Sequence, residues 1–453
     1  MLQRNQWEKA GIVSWLLNQN RTSIPRFLYL LLLFFLPTQL GKHFFLPESY
    51  VLGIRVDYLS FILYFSDILL FLLLFLCAIS YRHQLLSWVR VRPLVAHPYV
   101  KIASLFFITI LISLFTAERP LLVAYGCYKI LEMVLFVFLT VFFLKERSFR
   151  RNAVVVFSLS MMLQVVIALS QFVLQHSVGG ILYYLGERTF SISTPGISKA
   201  SIQDVLVLRP YGTLPHPNVL SGYLLTGIIL LFGELVPAHS QRLVIWFRFV
   251  LFFSALGVIL TLSRMGVILL VLSMSCFLFL SYSNRIVKTP ILPLLFMLSV
   301  FVVFFIAYGG LFEGLHSGSE TISERVSLMK SAFAMIVNHP LIGVGLNHFL
   351  VELPHFTSLT SPVFLIQPVH NIFLFIFSEL GVFGLLPFLL LWIVLIRRSI
   401  HLKMPVKTVA FLLLFIFFSI GMIDHYFLTL QQGQLLFACV IGYIFALGKK
   451  NTR

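Results

Sequence analysis

Twelve apolar runs, each of roughly 20 residues, divide this chain, and a run of that length is what carries a helix across the hydrocarbon core of a bilayer. They lie at about 24–42, 58–79, 99–117, 121–144, 153–175, 218–237, 247–263, 265–282, 290–308, 370–396, 407–422 and 431–448. So many spans leave little chain for a soluble domain. Of the 453 residues, 59% are hydrophobic and 11% charged, with a mean hydropathy of +0.98. A membrane barrel would show short alternating strands instead. The fold class expected is all-α: a polytopic membrane helical bundle of about twelve transmembrane helices, forming a single integral-membrane domain over 1–453.

A net charge of +17 would suit a nucleic-acid partner, but the placement of the positives argues against one. Sixteen Lys and Arg, from Arg82 to Lys407, fall between even- and odd-numbered spans, and seven more lie in the two termini. That is 23 of the 33, and the positive-inside rule then puts both termini in the cytoplasm. The expected location is the cytoplasmic membrane, with membrane lipids as neighbours. Cys77, Cys127, Cys276 and Cys439 all lie in apolar spans without metal-ligand spacing, and read as small core residues. About 24 mixed polar residues precede the first span with no small-residue cleavage site, so no cleaved signal peptide is expected.

Two connections on the outer side are long, about 176–217 and 309–369. The second carries a helical stripe, Val326, Met329, Phe333 and Ile336, ending at Asn338-His339-Pro340. It reads as an amphipathic helix on the outer membrane face or over a cavity, or as a packed loop helix.

Polar side chains at outer span ends carry the candidate chemistry. Arg209 leads into His216-Pro217-Asn218 at the start of span six, Arg264 lies in the turn between spans seven and eight, and His370-Asn371 opens span ten. Asp424-His425 lies in the turn before span twelve and reads as turn or capping chemistry. Plainer readings stand beside these: Arg264 as a snorkelling side chain, His216 and His370 as caps. Within the membrane, where charge is expensive, Lys129 and Glu132 are three apart on span four and can pair, lining a cavity or neutralising each other. Asp67, Glu234 and Glu379 show no partner in the sequence. Glu379 is nine residues past His370, roughly 13–14 Å along a helix, too far to orient the imidazole. No metal motif, cofactor motif or P-loop is present, so metal-independent chemistry by arginine and histidine is expected.

At these residues the chain resembles the bacterial O-antigen ligase and polymerase superfamily of membrane glycosyltransferases. The pieces that match are Arg209 with His216-Pro217-Asn218, Ser263-Arg264, Asn338-His339-Pro340-Leu341-Ile342-Gly343-Val344-Gly345, and His370-Asn371 with Glu379-Leu380-Gly381 and Gly384. They appear in the family's order, and the resemblance covers about 205–445. Met265 departs from the small residue common after the arginine.

The resemblance implies transfer of a glycan from a polyprenyl-diphosphate carrier to an acceptor hydroxyl outside the cytoplasmic membrane. It implies Arg209 and Arg264 on the diphosphate and His370 as base, with inversion at the anomeric carbon. His216, Asn218, Asn371, Lys129 and Glu132 are the expected substrate-binding residues. Arginine suits a diphosphate because its fork grips two oxygens at once. A helix N-terminus should favour the neutral imidazole that a base requires. The acceptor is a glycolipid, a glycan or a protein, which leaves ligase, polymerase and protein O-oligosaccharyltransferase open. A lipid-linked glycan flippase is the rival from another class, since polar residues inside spans also suit a transport path.

Overall fold

The computed structural model describes residues 23–81, 98–202, 204–235, 240–283, 322–357 and 366–448. Among these, eleven of the twelve expected spans contain a helix; the ninth, 290–308, lies outside the described residues. Five helices are long and apolar enough to cross a membrane: Pro120–Leu144, Arg147–Leu174, Pro217–Leu235, Gln241–Leu260 and Ile372–Ile400. Shorter apolar helices complete the bundle, including Ser23–Phe34, Phe65–Ser80, Val406–Gly421 and Gln431–Ala446. The chain is a multi-pass membrane protein. The helix Pro217–Leu235 is its hub: almost every residue from Pro217 to Glu234 is buried.

The fold is not purely helical. Three two-stranded antiparallel ribbons sit at the bundle end that holds the start of the Ile372–Ile400 helix, here the site end. They pair Gly41–Phe44 with Phe61–Tyr64, Tyr50–Val51 with Ile54–Arg55, and Lys199–Ile202 with Val205–Leu208. Span two therefore starts at Phe65 rather than near 58. A short apolar run such as Phe61-Ile62-Leu63-Tyr64 fits a strand as well as a helix by pattern alone. What sets the boundary is Asp67: its Oδ2 accepts the Tyr64 backbone N–H at 2.9 Å, capping the helix from its third position.

The carboxylates without sequence partners acquire them in three dimensions. Asp67 Oδ2 lies 3.0 Å from Lys129 Nζ. Glu234 lies 3.5 Å from Arg150 and 3.7 Å from Arg151, at the end opposite the site. Glu379 accepts the Phe349 backbone N–H at 3.1 Å.

The loop helix appears as Ile322–Asn338, but rotated relative to its expected stripe. Leu328, Ala332, Met335 and Ile336 are buried, whereas Val326, Met329 and Phe333 are exposed. Packing against Phe349, Leu353 and Val369 selects the first face, because two apolar faces compete on one helix and only one has partners.

Behind this helix the loop enters the bundle. The long helix Ile372–Ile400 is broken at Gly381, with φ 62° and ψ −164°. Residues 340–345 lie against the break and take up its backbone groups: Val344 N–H donates to Ser378 O at 2.9 Å, Gly345 N–H to Glu379 O at 2.8 Å, and Val382 N–H to Pro340 O at 2.9 Å. Irregular backbone at membrane depth survives only when protein satisfies it in this way. The two strands approach so closely that a Cβ on Gly343 would lie 2.3 Å from the Glu379 carbonyl carbon, and one on Gly381 2.3 Å from that of Leu341. Gly381→Ala combines that clash with a strained positive φ, and should cost roughly 2–4 kcal/mol. Reversible unfolding in detergent checks this; an unchanged midpoint would refute the pairing.

Candidate active site

A cavity of about 1360 Å³ opens at the site end. Its walls come from chain segments far apart in sequence, and each is held for a separate reason. The segment carrying Arg209 is fastened to the helix Arg147–Leu174 by two buried glutamines. Gln171 Oε1 accepts the N–H groups of Tyr211 and Gly212 at 2.8 and 2.9 Å, and Gln164 Oε1 accepts that of Thr213 at 2.8 Å. Arg209 then spreads its fork: Nε donates to Thr261 O at 2.9 Å, Nη1 to Ser198 Oγ at 2.9 Å, and Nη2 to Asn218 Oδ1 at 2.8 Å. His216 Nδ1 accepts the Asn218 N–H at 3.1 Å. Arg209, His216 and Asn218 all line the cavity.

His370 stands across from them, just ahead of the helix. Asn371 is the N-cap: its Oδ1 accepts the N–H groups of Phe373 and Leu374, both at 3.0 Å, as an N-cap side chain should. Asn371 Nδ2 donates to Met422 O at 3.1 Å, which ties the His370 turn to the Asp424 turn. The result is a cluster that distance along the chain conceals. His370 Nδ1 lies 3.9 Å from Asp424 Oδ1, and the His370 and His425 ring centroids are 5.0 Å apart. Asn218 Nδ2 donates to Asp424 Oδ2 at 3.3 Å, and the His425 backbone N–H to Asp424 Oδ1 at 2.8 Å. His425 Nδ1 meets Thr429 Oγ1 at 2.7 Å.

Burial would push the Asp424 carboxyl up, yet the imidazoles of His425, His370 and His216 outweigh it and hold the group below the ordinary carboxylate range. Asp424 is thus the carboxylate that faces His370 Nδ1. Neither Asp424 nor His425 is expected to be more than a turn residue from sequence. The available signal is their position, a titratable pair in a turn at the same end as His370. His370, Asp424 and His425 also present donor atoms within 4.8 Å of one another, a set able to hold a metal ion.

Other expected site residues fall elsewhere. Arg264 is the first residue of the helix Arg264–Ser283, is exposed, and is not among the cavity-lining residues. It follows Thr261, the residue whose carbonyl Arg209 grips, by three positions. Lys129 reaches the cavity wall, but its ammonium sits 3.0 Å from both Asp67 Oδ2 and Glu132 Oε2. Gln431 Nε2 completes the group, 2.6 Å from Asp67 Oδ1 and 2.9 Å from Glu132 Oε1. Glu132 is buried behind the wall. This cluster braces the start of the Gln431–Ala446 helix, six residues beyond His425.

Below the polar cluster the cavity turns apolar. Met133 and Val137 of the helix Pro120–Leu144, Leu391 of the Ile372–Ile400 helix, and Phe437, Ile441 and Phe445 of the Gln431–Ala446 helix line it. From Gln434 to Phe445 the groove descends about 16 Å at 1.5 Å per residue. The space therefore has a charged head beside His370 and an apolar tail within the membrane.

Residues 249–389 match the family model described as O-antigen ligase. The matched segment contains Arg264, the loop that meets Gly381, and His370 with Asn371. Arg209, His216, Asn218 and the Asp424-His425 turn lie outside it. No curated protein matches the chain. The family match supports membership of the O-antigen ligase superfamily.

Proposed function

We propose that this chain, part of which matches the O-antigen ligase model, transfers a glycan from a polyprenyl-diphosphate carrier to an acceptor hydroxyl on the outer face of the cytoplasmic membrane. The observation that carries the reading is the cavity's division into a polar head and an apolar groove, which fits an amphiphile whose diphosphate sits at the head and whose hydrocarbon lies below.

Arg209 binds the diphosphate, with Arg264, exposed and three residues past the Thr261 that Arg209 grips, as the second cation. The grip stabilises charge that builds on the leaving oxygen. His370, with Nδ1 turned toward Asp424, takes the acceptor proton on Nε2. The acceptor oxygen forms its bond to the anomeric carbon as the bond to the diphosphate oxygen breaks. The electron pair leaves with the lipid diphosphate, and the carbon inverts. Asp424 stabilises the imidazolium formed. Asn218, which contacts both Arg209 and Asp424, keeps grip and base in register. Lys129 and Glu132 act here as bracing rather than as substrate ligands, since the Lys129 ammonium is already shared between the Asp67 and Glu132 carboxylates.

Proteoliposomes carrying lipid-linked glycan donor and glycolipid acceptor on one side decide the matter. Transfer without translocation is the expected result, and the product identifies the branch: glycan on a lipid core, a longer glycan on the carrier, or glycan on protein. Translocation without transfer would favour a flippase and overturn the reading. Chelator should leave the rate unchanged. A loss restored by a divalent cation would instead make His370, Asp424 and His425 a metal centre.

A further inference from the structure

The contacts around Asp424 form a line. Arg209 meets Asn218, Asn218 meets Asp424, Asp424 faces His370 and His425, and the His425 ring meets Tyr58, with ring centroids 5.5 Å apart in an edge-to-face arrangement. Tyr58 also lines the cavity, and is 39% exposed. It comes from the connection between spans one and two, well outside the segment that the O-antigen ligase model matches.

That connection is rigidly placed. Val51, Val56 and Leu59 are buried against Phe349, Leu353 and Phe375. Arg119 Nη1 donates to Glu48 O at 3.1 Å and to Tyr50 O at 2.8 Å, and Ser49 Oγ donates to Leu59 O at 3.1 Å. Tyr58 itself sits in a single turn, Asp57–Leu59, closed by the Ser60 N–H on Asp57 O at 3.2 Å. A buried frame thus holds a large, half-exposed aromatic ring at the rim of the catalytic cluster.

We propose that Tyr58 forms the wall of an acceptor subsite for a sugar ring, and that the acceptor hydroxyl is therefore carried by a saccharide rather than by a protein side chain. This rests on the transferase reading above. If the diphosphate lies at Arg209 and the base at His370, the attacking hydroxyl lies beside His370, whose ring neighbours His425, the ring that Tyr58 meets. The weakly polar C–H face of a pyranose stacks on the negative face of an aromatic ring, whereas a short serine or threonine side chain offers no such surface. Asp57, also at the cavity wall, and His43 beside it supply polar groups for hydroxyls at the same rim.

The experiment follows release of polyprenyl diphosphate from a lipid-linked glycan donor. Glycolipid extracted from the producing cells serves as acceptor over a range of concentrations. Tyr58→Leu keeps an apolar side chain and removes the ring face; it should raise the acceptor KM about tenfold with kcat within about twofold, while Tyr58→Trp stays near wild type. His370→Ala is run beside them and should be inactive. An unchanged acceptor KM in Tyr58→Leu, with His370→Ala dead, removes the subsite and leaves the transferase reading standing. A fall in kcat at unchanged KM would make Tyr58 a prop for His425, and also removes the subsite. Full activity in His370→Ala removes both. Transfer to a serine-bearing peptide at the glycolipid rate, insensitive to Tyr58→Leu, would overturn the saccharide acceptor.

Discussion

His370→Ala should lower glycan transfer by about 10³-fold or more while leaving the protein's unfolding midpoint in detergent unchanged. The ring lies ahead of the helix that Asn371 caps, so removing it leaves the cap and the tie to Met422 intact. The loss should therefore appear in kcat, not in the amount of folded protein. Asp424→Asn is the graded companion. It keeps the shape of the turn but removes the charge that stabilises the imidazolium, and should lower kcat about 10²-fold. The pH profile separates the two groups. Asp424 has its carboxyl held below the ordinary carboxylate range, so the stability it contributes is present above that range and lost only as pH falls through its lowered value. A decline in rate that begins well above that range thus belongs to a group other than Asp424. Retention of more than a tenth of wild-type kcat in His370→Ala would sink the base assignment.

Lys129→Met should destabilise the fold by about 3–5 kcal/mol, because it leaves the carboxylates of Asp67 and Glu132 buried without their cation. Lys129 also lies over the rings of Tyr64, Tyr125 and Tyr128, at 5.2, 5.7 and 4.8 Å from their centroids, so the loss is not confined to the ion pairs. Neutralising both carboxylates in the same chain, with Asp67→Asn and Glu132→Gln, should recover most of that loss. Unfolding in detergent measures both. A triple variant no more stable than Lys129→Met would show that the cluster acts by shape rather than by charge balance.

Much of the architecture is readable from hydrophobicity because a lipid solvent leaves few alternatives. Runs such as 121–144 and 218–237 correspond closely to the helices Pro120–Leu144 and Pro217–Leu235. The site is legible in part. Arg209, His216, Asn218 and His370 stand out because polar residues at span ends are few, and the structure brings them to one cavity. What the sequence conceals is pairing across distance. Nothing local marks Asp424 as the partner of His370, 54 positions earlier, or Asp67 as the partner of Lys129. Tyr58 is hidden for another reason: an aromatic residue at the edge of an apolar run looks like the edge of a span. The strand Phe61–Tyr64 shows instead that the run is divided, with its first part folded back over the site.

The break at Gly381 bears on how the protein is made. A continuous helix can rest in lipid as soon as it leaves the insertion machinery, since its backbone is self-satisfied. The Ile372–Ile400 helix cannot do so alone, because the groups near Gly381 find their partners in residues 340–345, which are synthesised first. The loop must therefore wait, already translated, for the span that receives it. Membrane insertion of this span and closure of the loop that precedes it are one assembly event, and a chain cut between them would leave both halves unfinished.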